Sequence, residues 1–292
     1  MSFVDRALFV AMPAERLASL RILVGGATLL YVLVRIQSLI AVAHQPAWQF
    51  APLGPISVLS SPLPTWLVTA SVLITIPLGV AFTLGWRWRI SGPAYACAFA
   101  WITSYRNSWG MPFHTENLMV LQLLVLALSR ASDAWAMDAR GRALPDAHGR
   151  YGAPLRLLAA VTVTTYLIAG ITKLSISGFA WVTSDTLRNF VAYDNLRKAE
   201  LGDAWSPLGV IMVRHAWMFP PLAAISLAVE LGAPLALVHP RIAKLWCIAA
   251  WSFHVGVVAI MWIVFFYPLA GLPFAPFFAP ERLLARVRAR WS

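Results

Sequence analysis

Charged residues are scarce in this chain of 292 residues. Only 12% of the residues are Asp, Glu, Lys or Arg, whereas 60% are apolar or aromatic, and the mean hydropathy is +0.70. Soluble domains carry about 25% charged residues, so this composition excludes a soluble globular protein. It also excludes a disordered chain, which combines low hydrophobicity with high charge. The composition therefore predicts a polytopic membrane protein.

The chain also lacks the residue patterns that hold metals and phosphates. Its two cysteines, Cys97 and Cys247, lie within apolar runs, and no His-x-x-x-His or Glu-x-x-His pair places two ligands on one helical face. A phosphate-binding glycine loop is missing as well. We therefore expect no metal site. The 23 basic residues outnumber the 12 acidic ones but lie mostly in short loops, so we expect contact with membrane lipid and none with nucleic acid.

Apolar runs of about 20 residues, the length that crosses the hydrocarbon layer, mark the candidate membrane spans. Seven runs approach this length, at residues 17–40, 63–86, 90–105, 116–129, 154–174, 219–238 and 244–267. The stretch 268–280 is apolar but holds four prolines, which predicts a short broken helix or a re-entrant segment. We therefore expect an all-α integral membrane bundle of seven or eight spans that forms one domain over residues 1–292.

Basic residues are distributed unevenly between the loops, and this distribution predicts the orientation of the chain. The loop 41–62 carries no Lys or Arg, whereas the loops after the second, fourth and sixth spans are basic. We therefore expect a protein of the cell inner membrane with a cytoplasmic N-terminus. The basic tail 282–290 fits this rule after eight spans and opposes it after seven. The outer connection 175–218 mixes aromatic and charged residues, which is typical of interfacial helices.

A lysine lies at the end of the fifth apolar run, where a charged group is costly and often functional. Tyr166, Gly170 and Lys173 share one helical face. Gly170 would let a neighbouring helix or a planar ligand approach the backbone closely. Loss of hydration favours a neutral amine that can act as a base, which is one interpretation of Lys173. The alternative interpretation is an anchor at the outer membrane interface.

Other polar residues lie within the first, sixth and seventh apolar runs. Arg21 either extends its side chain to the interface or pairs with Glu230. His254 lies deep in span seven with Trp262 on its face, and a buried histidine in a bundle usually makes a hydrogen bond to a neighbour.

Polar residues lie at the start of the fourth run. His114 and Glu116 either belong to a helix cap closed by Thr115 or His114, or form a polar lip beside Lys173 at the outer face, with Asn117 next to them. The choice between these alternatives depends on the tertiary fold, which the sequence pattern does not give.

Five short motifs, in the same order along the chain, carry a family resemblance. They lie at residues 17–21, 84–91, 108–118, 166–174 and 253–280. They resemble the membrane domain of the vitamin-K-dependent γ-glutamyl carboxylase family. The resemblance covers residues 17–281, and the wider grouping is the horizontally transferred transmembrane (HTTM) family.

The resemblance implies a catalytic role for Lys173 and His114. Lys173 would be the base that deprotonates a reduced quinone of the vitamin K or menaquinone type, and His114, close to Lys173, would support the oxygenation step. In the carboxylase this chemistry yields a strong alkoxide base, which removes a γ-proton from peptide glutamate before CO2 adds. Gly170 and the aromatic residues on faces that also carry polar groups predict a cavity between spans four, five and seven, large enough for a quinone head group. The residues expected to bind the cofactor are Tyr166, Gly170, Trp262 and His254, supported by Arg21, Glu116, Asn117 and Glu230.

Two interpretations of function follow. In the first, the chain is a quinone-dependent membrane enzyme of the carboxylase, or lyase, type that acts on a peptide or another substrate. Thr172 stands where the carboxylase family has the first of two lysines, so only Lys173 is kept. In the second, the chain is a non-enzymatic membrane partner in the export, maturation or immunity of a secreted peptide.

Overall fold

The computed structural model describes residues 9–110 and 114–288, without the side chains of residues 114, 287 and 288. Within these ranges the regular structure is helical and no strand forms, which confirms the all-α prediction. The α-helices in chain order are α1 (Ala14–Ala41), α2 (Thr65–Leu84), α3 (Trp88–Asn107), α4 (Asn117–Ala127), α5 (Gly149–Ser177), α6 (Ala180–Thr183), α7 (Thr186–Glu200), α8 (Pro207–Val213), α9 (Phe219–Leu231), α10 (Pro240–Met261), α11 (Phe266–Leu269) and α12 (Pro280–Arg288).

Four of these helices are long and apolar enough to cross a membrane, namely α1, α2, α5 and α10. The pair α8 and α9 passes the same test as one broken span, bent by 108°, which raises the number to five. Helix α4 is apolar but has only 11 residues. The chain is therefore a membrane protein, and the number of seven or eight spans stays a prediction.

Contacts divide the chain into two compact units. Unit 1 comprises residues 1–158 and 278–292, and unit 2 comprises residues 159–277. In unit 1, α1 packs against α2, α4 and α12, and its core includes Leu17, Phe82 and Tyr95, which are buried. Helix α12 is fixed to α1 by an ion pair in which Arg16 Nη2 lies 2.8 Å from Glu281 Oε1. The expectation of a single domain stays a prediction.

In unit 2, the connection 175–218 folds into α6, α7 and α8. Its side chains bond the last carbonyl groups of α10, which have no partner within their own helix. Ser206 Oγ donates to the carbonyl of Ala259 at 2.5 Å, and Asn195 Nδ2 donates to that of Ile260 at 3.0 Å. Lys198 Nζ donates to Met261 at 2.6 Å. The connection 175–218 is thus tied to the end of α10.

The proline-containing stretch after α10 forms short helical pieces. It consists of α11 and a 3-10 helix over Leu272–Phe277, so the prediction of a short broken helix is confirmed. Proline removes a backbone donor and blocks a continuous helix, which explains the interruption.

Candidate functional site

A partly buried ion pair joins α5 to α9 in unit 2. Lys173 Nζ lies 2.5 Å from Glu230 Oε1. The lysine side chain is 21% exposed and that of the glutamate only 4%. This degree of burial differs from that of an interfacial anchor, which would hold its ammonium in water. The ammonium of Lys173 donates this hydrogen bond to the carboxylate of Glu230.

The close approach of the two helices depends on Gly170. A Cβ atom at this position would lie 2.9 Å from Leu231 Cδ2 and 3.0 Å from Glu230 Cβ, both on α9. Contacts this short are repulsive, so only a residue without a side chain fits. Gly170 therefore admits a neighbouring helix, which was one of the two partners that the sequence suggested.

We expect Gly170→Ala to destabilise the protein relative to Gly256→Ala. Both positions are in helices, where alanine gains up to about 1 kcal/mol in helix propensity. Only at Gly170 does the added methyl group overlap neighbours, because a Cβ at Gly256 has nothing within 4 Å. Overpacking costs about 1–3 kcal/mol. Denaturant unfolding of the two variants in detergent measures the difference, and equal unfolding free energies would contradict the close packing at Gly170.

Aromatic rings surround the lysine end of the pair. Lys173 Nζ lies 5.0 Å from the ring centroid of Trp181 and 5.6 Å from that of Phe253. A cation over the face of an aromatic ring is stabilised at these distances. Two buried polar atoms beside the lysine, Glu230 Oε2 and Trp181 Nε1, have no hydrogen-bond partner within the described residues. The site thus holds a free acceptor and a free donor near aromatic surfaces.

A second polar contact lies along the same face of α5. The Tyr166 hydroxyl lies 2.7 Å from His254 Nε2 on α10. The Tyr166 ring makes an edge contact with Trp246, with centroids 5.1 Å apart, and the His254 ring lies 5.3 Å from Phe265. The expectation that His254 bonds a neighbour is confirmed. Because Tyr166, Gly170 and Lys173 contact α9 or α10, the predicted common face is confirmed as well.

Two predicted residues take other positions. Trp262 follows the last residue of α10 with φ of 53° and is 51% exposed. Arg21 is fully buried in unit 1, where its Nη2 donates to the Trp135 carbonyl at 2.6 Å. Both alternatives for Arg21 are therefore wrong, since the side chain does not reach an exposed interface and Glu230 pairs with Lys173. In the sequence, Arg21 and Lys173 were both possible partners of Glu230, and their shared positive charge did not decide between them.

Glu116 is the centre of a polar cluster in unit 1. Its Oε1 accepts hydrogen bonds from the Tyr31 hydroxyl and from Arg106 Nη1, both at 2.6 Å. Its Oε2 accepts from Thr115 Oγ1 at 2.8 Å. The roles of Tyr31 and Arg106 were not predicted from the sequence, although an arginine beside an apolar run is a signal of a buried acidic partner.

The structure describes the other predicted residues of this segment, His114 and Asn117, only in part. His114 begins a 3-10 helix over His114–Glu116, but its side chain lies outside the described residues. Asn117 is exposed at the start of α4, which begins without a side-chain cap. Thr115 bonds the Glu116 carboxylate and does not cap α4, so that part of the capping interpretation is wrong. Capping by His114 and its proximity to Lys173 stay predictions.

A cavity of about 340 Å³ lies between α7 and α8 in unit 2. Its lining is apolar apart from Asn195, and it includes Leu196, Trp205 and Val210. It is separate from the Lys173 pair. The cavity that we predicted beside Tyr166 and Trp262 stays a prediction. In the part of the chain that the structure describes, no group of three or more His, Cys, Asp or Glu side chains could hold a metal ion.

Comparison with known proteins gives one informative result. The family model described as "HTTM domain" matches residues 9–282. No curated protein and no solved structure matches the chain. The matched range extends through both units and contains the Lys173 pair and the Glu116 cluster. Because this match covers nearly the whole chain, the protein belongs to the HTTM family.

Proposed function

We propose that this HTTM membrane protein is a quinone-dependent enzyme whose site is the Lys173–Glu230 pair. The observation that carries the proposal is a partly buried ion pair whose second carboxylate oxygen, Glu230 Oε2, has no hydrogen-bond donor, next to Trp181 Nε1, which has no acceptor within the described residues. Buried polar atoms without partners are costly, so they persist where a ligand uses them. The choice of a quinone rests on the resemblance of the motifs at 108–118 and 166–174 to the carboxylase family.

A reduced quinone fits the residues that surround this pair. It is planar and aromatic, which suits the rings of Trp181 and Phe253, and it has hydroxyl groups that can donate to Glu230 Oε2 and accept from Trp181 Nε1. Tyr166 and His254 lie on the neighbouring helical surfaces and would line the ring-binding region. When bound, a reduced quinone of the vitamin K or menaquinone type supplies an acidic hydroxyl and two electrons, which molecular oxygen accepts.

The ion pair gives Lys173 a way to act as a base. Its ammonium passes a proton to Glu230 Oε1, 2.5 Å away, which leaves a neutral amine beside a carboxylic acid. The amine then accepts the proton of the substrate hydroxyl at Nζ and regains its charge. Glu230 is therefore the proton store for Lys173, and His114 assists the oxygen-dependent step.

Carboxylation of a peptide substrate is the further reaction that the resemblance implies. It uses the strong base formed by quinol oxidation to remove a carbon-bound proton before CO2 adds. This chain keeps only one of the two lysines of the carboxylase motif, with Thr172 before Lys173. We therefore propose quinol oxidation as the core activity, and we propose that it drives carboxylation or a related modification of a substrate.

Oxidation of a reduced quinone by the purified full-length protein tests the proposal. The protein in nanodiscs receives reduced menaquinone in air-saturated buffer, and the absorbance of the quinone is followed. Oxidation faster than in empty nanodiscs and dependent on protein concentration is the expected result. A rate equal to that of empty nanodiscs would contradict the enzymatic proposal and favour the non-enzymatic partner in peptide export, maturation or immunity.

We also propose eight spans with the N-terminus in the cytoplasm, in a cell inner membrane. The additional crossings beyond α1, α2, α5 and α10 are α3, α4, the bent pair α8–α9 and the broken segment 266–277. The contact between Arg16 and Glu281 supports an even number, because it joins the start of α1 to the start of α12 within unit 1. Two ends of a chain that meet on one side of a membrane are separated by an even number of crossings.

Labelling of single cysteines in the loop 41–62 checks the orientation. Trp48 and Val58 are 81% and 77% exposed, so cysteines at these positions are accessible to a reagent. We expect labelling of intact cells by an impermeant maleimide at both positions, because the loop lacks Lys and Arg. A cysteine at Arg142 is the matched control and should react only after permeabilisation. Labelling of the loop from the cytoplasm alone would show that the orientation is inverted.

A further inference from the structure

Several separate segments of unit 1 meet at one end of this unit. The backbones of Met12 and His148 bond each other, and Arg16 bonds Glu281. The turn between α2 and α3 joins the same region, because the Asp138 amide donates to the Gly85 carbonyl at 3.2 Å. The starts of α1, α3, α5 and α12 therefore lie close together, and so do the loops that connect them.

The exposed charges at this end are almost all positive. Eight exposed arginines belong to these segments: Arg87, Arg89, Arg130, Arg140, Arg142, Arg150, Arg282 and Arg286. Of the carboxylates in these segments, Asp146 is exposed, whereas Asp138 and Glu281 make contacts inside the fold. Asp138 accepts hydrogen bonds from the backbone amides of Arg87 and Trp88 at 2.9 and 2.8 Å, and Glu281 is paired with Arg16. The surface therefore presents arginine side chains that internal acidic partners do not neutralise.

Apolar side chains border these arginines. Ile90 is 69% exposed beside Arg89, Trp86 is 46% exposed beside Arg87, and Leu283 is 66% exposed between the arginines of α12. Arginine and exposed apolar residues alternate on helices that lie in the interface between lipid head groups and acyl chains. A nucleic acid would be bound by the charges but would leave the apolar side chains in water.

We propose that this arginine-rich end of unit 1 binds the head groups of anionic phospholipids, with α12 lying in the membrane interface. The guanidinium groups of Arg282 and Arg286 contact lipid phosphates, because guanidinium matches phosphate in shape and charge. Leu283 enters the acyl boundary. The ion pair between Arg16 and Glu281 holds α12 in this position. The binding of anionic lipid is independent of the quinone chemistry proposed for Lys173.

Native mass spectrometry of the full-length protein tests this proposal. The detergent-solubilised protein is titrated with phosphatidylglycerol and, separately, with phosphatidylcholine. Wild-type protein should bind phosphatidylglycerol more tightly. The variant Arg282→Gln/Arg286→Gln should weaken this binding by about fivefold for each arginine, the equivalent of about 1 kcal/mol per basic residue at an anionic surface. Both positions are exposed, so the fold should be retained.

The control variant is Arg197→Gln/Arg214→Gln, which removes two exposed arginines from α7 and the residue after α8 in unit 2. It should leave the affinity for phosphatidylglycerol within twofold of wild type. Equal weakening by both variants, no weakening by the α12 variant, or equal binding of the two lipids would overturn the proposal. Nucleic acid that copurifies with wild type and is lost from the α12 variant would also overturn it.

Discussion

Replacement of Lys173 by arginine is expected to lower the rate of quinol oxidation at least about a hundredfold, the contribution of a positioned general base. Guanidinium keeps the positive charge and can still pair with Glu230, but it stays protonated and cannot accept a proton. The fold should therefore survive the substitution. The rate is measured with reduced menaquinone in nanodiscs, and the unfolding transition of the same preparation reports the stability.

The matched control is Lys244→Arg, the same chemical change at an exposed lysine near the start of α10. It should leave the rate unchanged. Lys173→Ala should also be inactive, and an added small primary amine should restore part of the rate by replacing the lost group. Full activity of Lys173→Arg would reject the role of this residue as a base.

The Lys173–Glu230 pair is expected to show strong energetic coupling. Removal of one partner from a buried ion pair costs about 3–5 kcal/mol, because the other charge is left without compensation. Lys173→Ala and Glu230→Ala should each approach this cost, whereas the double variant should cost clearly less than the sum of the two. We expect a coupling energy of about 2 kcal/mol from a double-mutant cycle of unfolding free energies.

The pair of Arg188 and Asp185 provides the matched control cycle. These side chains are 3.4 Å apart on α7 and just before it, and they are 31% and 54% exposed. Exposed pairs of this kind contribute about 0.2–1 kcal/mol. A coupling energy for Lys173 and Glu230 no larger than that of the control pair would show that the buried contact is weak or absent.

Much of the helical framework could be predicted from the sequence. The apolar runs 17–40, 63–86 and 90–105 correspond to α1, α2 and α3 within a few residues. The run 219–238 was less informative, because α9 ends at Leu231 and a 3-10 helix with Pro234 follows. Hydropathy measures composition, so it does not detect where proline or glycine ends a helix within an apolar run.

The members of the site could be predicted, but their pairing could not. Lys173 and Glu230 each stand out as charges within apolar surroundings, although they are 57 positions apart in the chain. Gly170 indicated a closely packed neighbour, but only the fold shows that this neighbour is α9. The partners of Glu116 were missed, since the contacts with Tyr31 and Arg106 depend on how α1, α3 and the segment before α4 pack.

The most direct test of the proposed function is an electron cryo-microscopy structure of the full-length protein in nanodiscs with a stable analogue of reduced menaquinone. We predict density for the ring system between Trp181 and Phe253, with a hydroxyl group within about 3.2 Å of Glu230 Oε2 or Lys173 Nζ, the range of a hydrogen bond. Density for the ring at another position, or a packed site at Lys173 with no ligand at saturating concentration, would contradict the assignment.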